Sequence, residues 1–480
     1  MSEKSLIYVT TTLPYVNAEP HIGFAFELVS ADIYARAKHL QGHEVFFNTG
    51  TDEHGLKIYR RALEVKEKPQ IFVDVLADKF KQLVATLHVW PAVNFIRTTN
   101  PRHERAAAAF WRRCQERGFI YKAYYRVKYC VGCELEKTES ELERGRCPIH
   151  PNLELEVINE ENYFFKFSAF NDFLLNLYVA RPDFVVPVRR LNEVKSFVSR
   201  GLEDFSISRL AAKQPWGIPV PDDPDQTMYV WFDALVNYVS AVGWPEDEEK
   251  FDRWWRQSGG VIQFAGKDNL RQQASMWQAM LHAAGLPSSK QIVIHGFITS
   301  GGEKMSKSRG NIIDPFILAG EYGADAVRYY LARHIHPFED SDFKLEKFKE
   351  AYNANLANGL GNLVSRVLTM ANKNGVKLAE KREIFDPHYT EALDKFEINK
   401  AADIVWEKIS AADEFIQQEE PFKKIKTNPA EAKKDIAELL ARLHEIAFHL
   451  SPLLPQTAEN IRNLVSKSAI PETPLFPRKE

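Results

Sequence analysis

The chain has 480 residues, 45% hydrophobic and 26% charged, the balance of an ordinary soluble globular protein, and it is too long for a single core; two to four domains are expected. No apolar run is long enough to span a bilayer and Met1 to Ser5 lack a signal-peptide layout, so a cytoplasmic location is expected. A net charge of −3 does not announce a nucleic-acid binder, so any RNA contact has to come from local patches, and four cysteines, three of them clustered, exclude a disulfide framework.

Leu6 to Thr12 is apolar and β-branched, which predicts the first strand of a parallel sheet. Two prolines and an asparagine break it over Leu13 to Pro20. His21-Ile22-Gly23-Phe24 then opens a segment of helical periodicity to about Leu40, with Phe26, Val29, Ile33 and Ala37 on one face. Strand, tight loop and helix N-terminus form a phosphate-binding layout, because the first turn leaves N–H groups free for an anion. Gly23 would let a ligand approach the backbone closely, and His21 could donate to phosphate oxygens. Taken alone, a histidine at a helix start is more often a cap or a surface residue.

Cys130-Val131-Gly132-Cys133, thirteen residues, and Cys147-Pro148-Ile149-His150 form two knuckles whose thiolates and imidazole suit one tetrahedral zinc ion. Four protein ligands leave no open position, so the expected role is structural. Cys114 stands outside the pattern as a small apolar residue on a helix around Phe110 to Arg117. Pro215 through Pro224 reads as a linker returning to the sheet, whose later strands fall at Val261–Ala265 and Gln291–Ile298. Alternating strand and helix signals predict a doubly wound parallel sheet with its site at the strands' C-terminal ends.

Gly301 to Gly310 follows, a loop with two lysines, two serines and an arginine between glycines. Charge alone would make it a solvated basic turn; beside a sheet edge, lysine point charges suit a polyphosphate. From about 345 the pattern is helical and predicts an α-helical bundle. The expected divisions are 1–115 and 225–300 for the nucleotide-binding sheet, 116–224 for the metal-bearing insertion, 301–344 for the lysine loop and connecting fold, and 345–480 for the bundle.

Lys304-Met305-Ser306-Lys307-Ser308 resembles the signature loop of class I aminoacyl-tRNA synthetases, and His21-Ile22-Gly23-Phe24 resembles their other signature. With the metal module and the segments Tyr15-Val16-Asn17, Thr49 to Gly55, Phe164-Phe165-Lys166, Asp204 to Arg209 and Tyr229 to Tyr238, essentially the whole chain resembles the methionyl-tRNA synthetase family. The resemblance implies ATP-dependent activation of methionine to methionyl-adenylate and transfer to the terminal adenosine of tRNA(Met). Zn2+ would be structural and Mg2+ would accompany ATP. His21, Lys304 and Lys307 would be catalytic, with Gly23, Phe24 and Asp268 also on the nucleotide. Leu13, Tyr15, Asp52, Trp231, Ala234, Tyr238, Gln273 and Trp277 would line the methionine pocket, Asp52 taking the α-ammonium. Asn362, Arg366 and Phe422, beside Lys423, Lys424 and Lys426, would read the anticodon, a phenyl ring stacking on an unpaired base.

Three positions depart from the family pattern. Phe24 stands where a second histidine is usual, Gln273 where a histidine near the substrate sulfur is general, and Phe422 where tryptophan is usual. They support a rival reading, a paralogue that binds tRNA with weak or no charging activity. A class I synthetase for another aliphatic amino acid is the other alternative, but its usual large editing insertion is missing. The dimerising domain appended in some relatives does not fit after His449 to Pro455, so a monomer is expected.

Overall fold

The computed structural model describes residues 5–133, 135–137, 141–305, 311–379 and 381–479. The chain divides into two compact units. The first takes in residues up to Glu19, Glu44–Gln82 and Ala92–Ile294; the second takes in Pro20–His43, Leu83–Pro91 and the chain from His295 onward.

The first unit is built on a six-stranded sheet. Its strands are β1 (Leu6–Thr10), β2 (Glu44–Thr51), β3 (Asn94–Arg97), β4 (Val185–Val186), β5 (Val261–Gly266) and β6 (Gln291–His295), in the order β3-β2-β1-β5-β6-β4. β1 pairs in parallel with β2 on one side, Tyr8 opposite Phe46, and with β5 on the other, Tyr8 opposite Val261. β2 pairs in parallel with β3, and β6 with β4. The strand order reverses between β1 and β5, the point at which an open α/β sheet offers a crevice for a ligand. β5 is buried along its whole length, as a central strand covered on both faces must be. The predicted doubly wound sheet is therefore present.

Between β3 and β5 the insertion forms its own antiparallel sheet. Ile120–Cys130 and Glu156–Phe165 pair from Ile120 opposite Phe165 to Tyr129 opposite Glu156, flanked by Leu135–Lys137 and Phe205–Ser206. The long antiparallel pair delivers Cys130 to the far end of its strand. The stretch read as a returning linker is instead a hairpin, Pro219–Val220 against Asp223–Met228, because Asp222 takes the left-handed turn conformation at φ 65° that aspartate tolerates.

In the second unit, helix α1 (Ile22–Leu40) belongs with the C-terminal helices. The predicted C-terminal helices are present, and they include α2 (Asn362–Asn374), α3 (Ile398–Glu419), α4 (Pro429–Leu453) and α5 (Pro455–Lys467). Two expectations need correction here. The run Gln291–Ile298 is not one strand: it breaks at Gly296, where a Cβ would lie 2.2 Å from the Glu339 carbonyl carbon, and resumes as Ile298–Ser300. The lysine loop begins as a strand, with Thr299 opposite Lys304 and Ser300 opposite Glu303. Gly301 and Gly302, at φ 66° and 77°, form the tight turn between them, the positive φ pair a two-residue hairpin requires.

Candidate active site

In the first unit the proline-broken loop after β1 is tied to the end of β2. Tyr15 and Asp52 form a parallel bridge, with the Val16 N–H donating to the Asp52 carbonyl at 3.0 Å and the Asp52 N–H to the Pro14 carbonyl at 2.9 Å. Leu13 and Tyr15 are half-buried and Asp52, just past the end of β2, is buried. Lys57 Nζ lies 5.8 Å from the Tyr15 ring centroid, a cation over its face. Deeper in the loops, Thr11 and Thr49 hydroxyls meet at 2.7 Å and the Asn48 amide donates to Thr10 Oγ1.

Trp231 is half-buried and packs, together with Tyr15 and Val131, against the small apolar group Tyr129, Tyr229 and Val230. Its indole Nε1–H is shielded from water and donates to nothing among the described residues. Two predicted pocket residues, Tyr238 and Trp277, lie deeper: both belong to the main core, their ring centroids 5.7 Å apart, and Trp277 stacks on Phe110. Ala234 is buried on the same short helix as Trp231, Val230–Ala234. Gln273 is buried in an amide network: Gln263 Nε2 on β5 donates to its Oε1 at 2.8 Å, and Gln278 Nε2 to its carbonyl oxygen. Asp268 is exposed at the end of β5.

Reading the sequence missed the charges that stiffen these loops. Arg97 on β3 grips both Glu53 oxygens at 2.7 and 2.8 Å and reaches Asp74, while Trp216 Nε1 donates to the Glu53 carbonyl at 2.6 Å. Asp233 is wholly buried between His54 Nδ1 at 2.6 Å and His103 Nε2 at 2.8 Å. Glu53, His54 and Asp233 fall inside motif segments, but nothing local marks His103, which sits on an ordinary amphipathic helix (Pro101–Glu116).

The metal ligands come together. The donor atoms of Cys130, Cys133, Cys147 and His150 all lie within 4.8 Å of one another, with Cys133 and Cys147 sulfurs at 3.4 Å and His150 Nδ1 at 3.2 and 3.8 Å from Cys133 and Cys130. A tetrahedral ion with bonds of about 2.3 Å would set sulfurs roughly 3.8 Å apart, so the cradle fits zinc. Gly132 is required there: a Cβ would stand 2.6 Å from His150 Cγ. Burial pushes the Cys133 thiol up to about 12, so a bound cation has to favour its thiolate. Cys114 is buried in the core, as expected.

In the second unit His21 caps α1: its Nδ1 accepts from the Gly23 N–H at 3.1 Å, which in a neutral ring puts the proton on Nε2. Gly23 has little room, a Cβ lying 2.9 Å from His21 Cε1 and 3.7 Å from the Met305 methyl. The Phe24 N–H donates to the His21 carbonyl, closing the first turn. Lys304 is placed on its strand by its backbone, while Lys307 lies outside the described residues. In the bundle Asn362 and Arg366 share one face of α2, and Arg366 pairs with Asp413 on α3 at 2.5 Å. Phe422 is 46% exposed on the short helix Pro421–Lys424. The lysines beside it are not free cations: Lys423 bonds Glu420, and Lys424 bonds Glu419 and Asp435.

A reversing parallel sheet, a histidine-capped helix and a lysine-bearing hairpin are all present in the chain, and the family model that covers most of it places it among the class I aminoacyl-tRNA synthetases. The family described as tRNA synthetases class I (M) matches residues 7–154 and 135–368, and the anticodon binding domain of methionyl tRNA ligase matches 371–473. The chain is 42% identical to the methionine–tRNA ligase of Thermosynechococcus vestitus, over 94% of this chain and 88% of that protein, and 39% identical to that of Thermotoga maritima, over 96% and 75%. It also matches Mycobacterium tuberculosis methionyl-tRNA synthetase in complex with methionyl-adenylate, with a TM-score of 0.89 and 34% identity over 99% of this chain and 100% of that one. The chain belongs to the methionyl-tRNA synthetase family and is a ligase.

Proposed function

We propose that the chain activates methionine with ATP and transfers it to the terminal adenosine of tRNA(Met), using the residues named above. The methionine carboxylate attacks the α-phosphate, the bond to the β-phosphate breaks, and pyrophosphate leaves. A carboxylate is already ionised, so no general base is needed and catalysis is positioning with stabilisation of phosphate charge. His21 Nε2–H, Lys304 and Lys307 hold that charge, with Gly23 and Phe24 at the purine and Asp268 at the ribose; Mg2+ accompanies the ATP. A ribose hydroxyl of tRNA then attacks the adenylate carbonyl and releases AMP.

The observation that carries the reading is the backbone bridge between Tyr15 and the buried Asp52, which supports a carboxylate for the α-ammonium on one residue and an aromatic wall for the thioether on its paired neighbour. Leu13, Trp231, Ala234, Tyr238, Gln273 and Trp277 complete that pocket, and Gln273 supplies an amide in place of the usual imidazole. Asn362, Arg366 and Phe422 hold the anticodon loop. The four-ligand zinc site is structural. The protein works as a monomer in the cytoplasm, where reduced thiols keep the cluster metal-ready. Among the described residues no helix is long and apolar enough to cross a membrane.

Methionine-dependent exchange of labelled pyrophosphate into ATP, followed by charging of tRNA(Met), tests the reading. Exchange with methionine and not with valine, isoleucine or leucine is expected; tRNA binding without exchange would replace it with the inactive paralogue. Lys307→Ala is expected to lower the rate of adenylate formation by about 10²–10³-fold, the scale of losing one transition-state donor, while leaving the KM for methionine nearly unchanged.

A further inference from the structure

The bundle carries a cleft that the anticodon residues above only half account for. It measures about 490 Å³, within the range of small-ligand sites, and lies between the start of α2 and the C-terminal tail. Asn358, Asn362 and Ser365 line one wall, and Glu472 and Thr473 line the other. All five are exposed, and none has a side-chain hydrogen-bond partner among the described residues. Asn358 stands on Tyr352–Gly361, a π-helical stretch running straight into α2; such wide turns are uncommon and collect at functional sites.

The second wall is held in place. Asn372 Nδ2 donates to the Ser468 carbonyl at 3.0 Å, and Ser468 Oγ donates to the Val376 carbonyl at 3.0 Å. At the other end Tyr352 OH donates to the Pro477 carbonyl, and Asn353 exchanges two hydrogen bonds with the Lys479 backbone at 2.8 and 2.9 Å. Phe476 is buried, edge-on to Tyr352. Between these anchors Pro471 to Leu475 arches past the helix face, and two prolines restrict its backbone.

Given the tRNA reading proposed above, on which this rests, we propose that the cleft takes one unpaired base of the anticodon loop and that Glu472 selects a base bearing an exocyclic amine. The amides of Asn358 and Asn362 can each donate and accept along a base edge. A carboxylate only accepts: it pairs with the exocyclic amine of cytosine, adenine or guanine and repels the keto oxygen of uracil. It also repels phosphate, so the backbone of the loop stays outside the cleft.

The test is charging kinetics of Glu472→Gln and Asn358→Ala with unmodified tRNA(Met) transcripts and with transcripts in which each anticodon cytosine or adenine is replaced in turn by uracil. Glu472→Gln is expected to raise the KM for the native transcript about tenfold and to shrink discrimination at one position by the same factor, with the unfolding midpoint unchanged. The position that loses discrimination tells whether cytosine or adenine enters. A KM that is unchanged or lower in Glu472→Gln, as removal of a mere repulsive charge would give, overturns the proposal. So does an equal loss on every transcript. If Asn362→Ala raises the KM while Glu472→Gln does not, base selection by Glu472 fails and the anticodon reading stands; if Asn362→Ala has no effect either, both fail.

Discussion

Asp233 receives a histidine on each carboxylate oxygen, and that arrangement sets a pH dependence. Burial alone would raise its pKa, but the charge of His54 and the bonds from both histidines hold it below the usual carboxylate range. For His54 burial acts downward, yet the Asp233 carboxylate outweighs it and the imidazole titrates above its ordinary value. A raised histidine stabilises the fold fully below its unfolded value near ~6.5 and loses that contribution as pH rises through the folded value; a depressed aspartate contributes above ~3.9 and loses it as pH falls. Their common window is thus roughly pH 4 to 6.5. His54→Leu, which keeps bulk and removes the partner, is expected to cost about 3 kcal/mol in urea denaturation within that window. The cost should shrink as the pH is raised further. A pH-independent difference would mean that packing and not charge ties His54 to Asp233.

At the scale of elements, the Cys/His cluster that could hold a metal ion packs beside residues proposed for the methionine pocket. Tyr129 and Val131 flank Cys130 in sequence, and both pack with Tyr229, Val230, Trp231 and Tyr15 in one apolar group. Arg209 lies over the Tyr129 and Tyr229 rings at 5.2 and 4.7 Å and adds cation–π attraction to the same group. Gly132→Ala forces a Cβ into the His150 ring and is expected to lower bound zinc per chain, measured by metal analysis. Because the neighbours of Cys130 share that apolar group with Trp231, the wall proposed for methionine, the same variant should raise the KM for methionine several-fold; a zinc-depleted protein with an unaltered KM would show that Trp231 is held without the cluster. The four ligands were legible in the sequence because they occur as two local pairs. The hairpin at Pro219–Met228 was not, since its proline and aspartate content reads equally well as linker. The same limit hid the hairpin under Lys304, whose pairing with Thr299 depends on a turn of two glycines and not on the cationic composition of the loop. Trp277 shows the converse: its place in the core stack with Phe110 is set by tertiary packing that no motif records.

Across the second unit, elements distant in sequence meet at one guanidinium. Arg328, on the helix Ala324–Arg333, has no exposure to solvent; it pairs with Asp32 of α1 at 2.7 Å and donates to the carbonyls of Leu87, Pro452 and Leu453 at 2.9–3.1 Å. The last two carbonyls end α4, where no further helical N–H is available, so the fork satisfies groups that would otherwise be orphaned. Asp32 accepts in addition from Arg36 and the Trp90 N–H, and Asp325, one turn before Arg328, accepts from the Thr457 N–H at the start of α5. Helix α1, which presents His21, is thereby fixed to the bundle at a point one sequence motif could never reveal, because its parts lie at 32, 87, 328 and 452–453. Arg328→Met leaves Asp32 buried with less compensation and is expected to cost about 3–5 kcal/mol. Arg328→Lys restores the charge but not the planar fork, so it should recover only part of that loss. Hydrogen exchange gives the sharper readout: the α1 amides should lose protection in both variants, by more in Arg328→Met. Full rescue by lysine would mean that net charge, and not the geometry shared among four acceptors, is what holds the helix.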